Sequence, residues 1–180
     1  MAIKVALIAI CIALSGLSPA MAQSLTPADR EALAVQSAVL ERAVSTGDFA
    51  ASLDVVPPRL IRTIAEQFGA TPADVRAAIA EAGRSAYAGI QSAAFTIDIA
   101  SATSAMTPDG ARPYFLIPTE TTFKLAGGPA VRVVSQTLAF QDDGWWLIRV
   151  SYPQQAEFLR AAYPEFAGVT FPPSQTFAED

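Results

Sequence analysis

Residues 114–150, YFLIPTETTFKLAGGPAVRVVSQTLAFQDDGWWLIRV, decide the fold. β-Branched and aromatic residues alternate there with polar ones, and two turn signals, Gly127-Gly128 and Asp142-Asp143-Gly144, cut the stretch into three runs. A period of two is the mark of a half-buried strand, and Gly or Asp at the cuts tolerates the positive φ of a tight hairpin. Tyr114 to Leu125, Val131 to Gln141 and Trp145 to Tyr152 are therefore read as antiparallel strands. Phe95 to Thr103 is a fourth, joined to them across Thr107-Pro108-Asp109-Gly110. Pro118 sits in mid-strand, which calls for a bulge or an unpaired position there.

Hairpin geometry then assigns the faces. A two-residue turn at Gly127-Gly128 sets Phe123 opposite Arg132, Thr121 opposite Val134, Thr119 opposite Gln136, Ile117 opposite Leu138 and Phe115 opposite Phe140. A three-residue turn with Gly144 left-handed sets Phe140 opposite Trp146, Leu138 opposite Ile148, Gln136 opposite Val150 and Val134 opposite Tyr152. The buried face predicted from this pairing carries Phe115, Ile117, Phe123, Val134, Leu138, Phe140, Trp146, Ile148, Val150 and Tyr152. Its reverse carries Leu116, Val133, Trp145 and Leu147, too apolar to meet only water, and is expected to be a partner or homodimer surface. Glu120 and Arg149 lie diagonally on that reverse face, within reach of a surface ion pair worth well under ~1 kcal/mol.

Upstream the period lengthens to that of helices. Thr26-Pro27-Ala28-Asp29 and Thr71-Pro72-Ala73-Asp74 each combine an N-cap, Pro at the first helical position and an acid in the first turn. They predict helices from Pro27 through Val44, stopped by Gly47, and from Pro72 to about Tyr87. Between them a short helix over Phe49 to Asp54 is halted by Pro57-Pro58, and the stripe Leu60, Ile61, Ile64, Ala65 and Phe68 ends at Gly69. A last helix is expected over Gln155 to Ala162. The fold class is α+β, with N-terminal helices packed on one face of a curved four-stranded antiparallel sheet.

Residues 1–22 read as a secretory leader: Lys4, an apolar run from Val5 to Leu14, the breakers Gly16 and Pro19, and Ala20-Met21-Ala22 before the cut. The competing reading is an uncleaved anchor, against which stands an apolar run far shorter than the roughly 20 residues that span a bilayer. The expectation is a periplasmic or secreted protein with no stable membrane anchor: a single domain over residues 23–163, then an irregular tail over 164–180. Cys11, the sole cysteine, lies inside the leader, and the chain has no histidine. Thiolate metal sites, cysteine nucleophiles and the commonest general base are therefore excluded, and no metal or cofactor is expected. The net charge is −5 and no stretch clusters Lys or Arg, which argues against a nucleic-acid partner.

Ser45-Thr46-Gly47-Asp48-Phe49-Ala50-Ala51-Ser52-Leu53 and Asp142-Asp143-Gly144-Trp145-Trp146-Leu147-Ile148-Arg149-Val150 resemble the helix-Gly-Asp-helix junction and the final hairpin of the NTF2-like superfamily, which includes the SnoaL-like cones. Two features depart from that pattern: Pro57 to Tyr87 holds extra helix, and no strand precedes it. The resemblance implies an apolar pocket at the wide end of the cone, and dimerisation through the open sheet face. In its enzymes an Asp, Tyr or His acts inside the pocket.

The residues able to face such a pocket here are Gln136, Thr119, Thr121, Tyr152, Trp146 and Arg132, with Tyr87 from the fourth helix. Gln136 is either a core amide satisfied by Thr119 and Thr121 or a pocket floor that orients a ligand. Asp98 would be a base only if buried, and alternation places it outward with Thr96. No catalytic residue is assigned. The reading is an exported binder of a small apolar ligand or of a partner protein; the alternatives are a tyrosine-carboxylate isomerase or dehydratase, and an accessory protein acting through its sheet.

Overall fold

A computed structural model describes residues 24–179; the leader expected at 1–22 lies outside them. Four helices come first: α1 (Pro27–Thr46), α2 (Phe49–Ser52), α3 (Pro58–Phe68) and α4 (Pro72–Tyr87). Six strands follow, β1 (Ile90–Ile97), β2 (Thr103–Met106), β3 (Pro113–Leu125), β4 (Ala130–Gln141), β5 (Trp145–Arg149) and β6 (Gln175–Glu179), with α5 (Pro153–Ala162) between the last two. Among the described residues no helix is long and apolar enough to cross a membrane.

The helix starts obey their local signals. Thr26 Oγ1 accepts from the Asp29 N–H at 3.1 Å while Asp29 accepts from the Thr26 N–H at 2.9 Å, and Thr71 and Asp74 repeat the arrangement at 3.2 and 3.1 Å. Two orphan donors are satisfied at each start, a gain of about 1 kcal/mol apiece. Those bonds hold the Asp29 and Asp74 carboxyls below the usual aspartate range. Gly47, at φ 72°, closes α1 in the left-handed conformation that only glycine adopts freely.

The spine of the sheet is the long β3–β4 hairpin, and the sheet curls into a half-barrel around it. Each outer edge of the spine is covered by two short strands end to end: β1 and β2 on β3, β5 and β6 on β4. Pro118 falls in the gap between β1 and β2, where its carbonyl accepts from the Asp98 N–H and its missing N–H costs no ladder bond. Asp98 itself turns outward as expected. It caps the 3-10 turn Ile99–Ser101, which splits the single strand expected over Phe95 to Thr103.

The register of the spine corrects the expected one. Thr119 lies opposite Ser135, Ile117 opposite Thr137, Phe115 opposite Ala139 and Phe123 opposite Val131, one residue away from the pairs expected. The turn is centred on Ala126-Gly127, closed by Gly128 N–H to Leu125 O at 3.2 Å, with Gly127 at φ 74°. Pro129 carries no N–H and cannot continue the ladder, so pairing starts at Lys124 and Ala130. The β4–β5 hairpin keeps its expected pairs, Phe140 with Trp146 and Leu138 with Ile148, although Asp143, at φ 54°, is the left-handed residue of its loop. Beyond Arg149 the chain leaves the sheet, so Val150 and Tyr152 do not pair, and β6 takes that edge instead.

A one-residue slip exchanges the faces of β3 against β4. Phe115 and Ile117 share a face with Ala139 and Leu147, packed against Leu33 of α1 and Val55. Leu138, Phe140 and Ile148 share the other with Tyr114 and Leu116, packed against α5 and the segment after it. Both faces are therefore covered: by α1 on one side, by the C-terminal segment on the other. The reverse face expected to stand open is a second core layer, and Leu147 is 2 % exposed.

Residues 164–179, expected as an irregular tail, are part of this packing. Tyr163, Phe166 and Val169 are buried, and Glu165 pairs with Arg112 at 2.7 Å. The Tyr163 hydroxyl donates to Asp142 Oδ2 at 2.7 Å, and Arg59 lies 4.8 Å above its ring. Burial, then the Asp142 bond and charge, pushes that phenol well above its usual value. The stability this contributes is complete below the unfolded tyrosine pKa of about 10 and is lost as pH rises beyond it. Tyr163→Phe should therefore weaken the decline of urea midpoints between about pH 9 and about pH 11. The decline should persist in part, because burial also raises Tyr114 and Tyr87.

Candidate functional site

A large apolar recess follows from how the helices meet the sheet. α1 packs on the face carrying Leu147 and α3 packs against α5, and helices and sheet leave a space between them. A cavity of about 530 Å³ remains, within the size range of small-molecule pockets. Its walls are Leu40 and Val44 of α1, Phe49 and Leu53, Val55 and Val56, the α3 stripe Leu60, Ile61 and Ile64, and Phe95, Leu147 and Ile148 of the sheet. Its mouth is marked by the exposed residues Ile79, Arg149 and Gln155.

Few polar groups line it, and most are already engaged. Ser52 donates to the Phe49 carbonyl at 2.8 Å, and the Thr137 and Thr119 hydroxyls bond each other at 2.7 Å. The Gln155 Oε1 accepts from the Ser151 and Tyr152 N–H groups at 2.8 and 3.1 Å. Among the described residues, Arg149 is the one charged residue of the lining. It reaches Ser151 Oγ at 3.2 Å and Thr121 Oγ1 at 3.4 Å. Desolvation by its surroundings lowers the guanidinium below the usual arginine value; an arginine stays protonated regardless.

The residues singled out in the sequence fall in unexpected places. Leu147 and Arg149, assigned to the partner face, line the cavity, and Thr121 and Thr119 stand just behind it. Tyr87 backs the wall: its hydroxyl donates to the Val44 carbonyl and its ring meets Phe49 edge-on at 4.9 Å. Gln136, Trp146 and Arg132 lie on the opposite sheet face, facing away from the cavity. The Gln136 Oε1 there is buried and without a partner, while Trp146 donates to the Asp142 carbonyl at 2.6 Å. Arg132 bonds Glu179 at 2.8 Å and Glu120 at 3.2 Å, so the expected Glu120–Arg149 pair does not form: the slip puts those two on opposite faces. Tyr152, expected in the buried layer, is 67 % exposed ahead of α5. Leu116 packs with Leu138, and Val133 lies between Thr121 and Thr176.

Trp145 borders a second, polar cleft of about 430 Å³ with Asp29, Arg112 and Gln141. Its charges are spent internally, Asp29 on Thr26 and the Trp145 indole at 3.1 Å, Arg112 on Glu165. Among the described residues no group of three or more acidic side chains is placed to hold a metal ion. Sequence reading missed the helical half of the cavity wall. Leu60, Ile61 and Ile64 carry only the stripe of a packed helix, which does not distinguish core from cavity lining.

Comparison with protein-family models, with curated proteins and with solved structures gives no match for this chain.

Proposed function

We propose that this chain is an exported, NTF2-like binding protein that holds one small, largely apolar molecule in the cavity between α1–α3 and the β5 edge, without catalysing a reaction on it. The observation that carries the reading is the cavity itself: about 530 Å³ of space walled by aliphatic and aromatic side chains, with its hydroxyls already bonded within the protein. Binding is favoured over tyrosine-carboxylate chemistry by what surrounds that space. Among the described residues no carboxylate lines it, Tyr87 spends its hydroxyl on a backbone carbonyl, and Asp98 is held ionised on the surface by Ser101. The Tyr163–Asp142 pair belongs to packing on the other side of the sheet.

Nile red, a neutral dye that fluoresces in apolar surroundings, tests this directly. The purified chain should give a saturable, single-site rise in emission, and Ile64→Trp, which fills the cavity from its half-buried α3 wall, should reduce it at least tenfold in affinity. A linear, unsaturable signal, or an Ile64→Trp variant that binds as before while its melting temperature is unchanged, would refute the reading.

A further inference from the structure

We infer that the ligand is a linear aliphatic monocarboxylate, its carboxylate on the Arg149 guanidinium at the mouth and its alkyl tail among Leu53, Val55, Ile61 and Leu147. This rests on the binding reading above and adds the head group to it.

Arg149 is a cation at the lip of an apolar space with no anion to answer it. Among the described residues no Asp or Glu oxygen lies within 4.0 Å of it, and its partners are two neutral hydroxyls at 3.2 and 3.4 Å. A guanidinium has five N–H donors in a planar fork, so most of its capacity is unspent. A carboxylate is the planar, bidentate acceptor that fits such a fork. Gln155 beside it points the same way: with its oxygen taken by two backbone N–H groups, only its NH2 remains to offer. Both polar groups at the mouth therefore donate, which suits an anionic acceptor and disfavours a cation.

The tail follows from the walls. Because the hydroxyls of Ser52, Thr137 and Thr119 are already bonded internally, a polar body entering the cavity would exchange most of its water contacts for a few spare hydroxyl lone pairs, a penalty an alkyl chain escapes. Burying each CH2 group instead gains affinity. A short carboxylate has no alkyl tail to bury, so its head-group contact alone has to offset the whole cost of immobilising it.

Calorimetric titration of the full chain with dodecanoate, dodecanol and acetate, all below micellar concentration, tests the assignment. Dodecanoate should bind one per chain, about ten- to hundred-fold tighter than dodecanol, the range expected of hydrogen bonds to a charged group. Acetate should not bind. Arg149→Gln should bring dodecanoate down to the affinity of dodecanol and leave dodecanol unchanged, while Arg149→Lys should recover part of the difference. Equal binding of acid and alcohol by the unaltered protein overturns the carboxylate while leaving the cavity reading intact, and needs no variant to fold. Failure of both lipids together with Nile red removes the cavity reading itself. Binding of acetate as tight as that of dodecanoate overturns the tail.

Discussion

Phe166→Ala is expected to cost about 3–5 kcal/mol of folding stability, the loss typical of emptying a large buried aromatic site. Phe166 is 0 % exposed and meets Phe140 at 5.2 Å and Tyr114 at 5.6 Å, both in edge-on geometry, so its removal leaves a hole in the layer that covers one sheet face. The neighbouring Arg112–Glu165 pair ties the same segment to the turn before β3, so the chain around the hole has little freedom to collapse into it. Urea unfolding measures the effect. A change within about 0.5 kcal/mol, as for an ordinary surface position, would mean that residues 164–169 are not part of the core.

Gly83→Ala should also destabilise, against the usual sign for that exchange in a helix. Alanine normally gains about 1 kcal/mol over glycine in a helix interior. Here a Cβ on Gly83 would collide with Phe49 Cγ and stand 2.8 Å from Phe49 Cβ. The second atom is the root of the side chain, so no rotamer change relieves the contact and α2 has to move away from α4. Overpacking of this kind costs about 1–3 kcal/mol, enough to reverse the propensity gain. Since Phe49 is part of the cavity wall, Nile red affinity should fall along with the melting temperature. A variant that melts higher than the parent would show that α2 yields freely.

The sequence disclosed the features that are local and concealed those set by distant partners. Thr71, Pro72 and Asp74 define the start of α4 within four residues, and the helix runs from Pro72 to Tyr87 as the signals require. The β4–β5 loop was legible for the same reason, its length being fixed by Asp142-Asp143-Gly144. Register in the β3–β4 hairpin was not. Alternation selects a register only when one face is wet, and here α1 covers Phe115 and Ile117 while the C-terminal segment covers Leu138 and Phe140. Either pairing buries apolar side chains, and the deciding residue was Pro129, through a hydrogen bond it cannot make.

The site was legible in its residues and not in their arrangement. Arg149 and Leu147 stood out, but the slip moved Glu120 to the far face and left Arg149 facing the cavity instead of a carboxylate. β6 was hidden because Gln175 to Glu179 is a short run whose pairing with Val131 and Val133 lies some 45 residues back along the chain.

That pairing also bears on how the protein stays dispersed. β4 is rich in β-branched residues through Val131, Val133 and Val134, and β6 occupies the backbone donors and acceptors that this half of the strand would otherwise present. Cleavage just ahead of Gln175 would bare a ready-made template for a neighbouring molecule, and the damaged chains would be expected to stack edge to edge into insoluble assemblies.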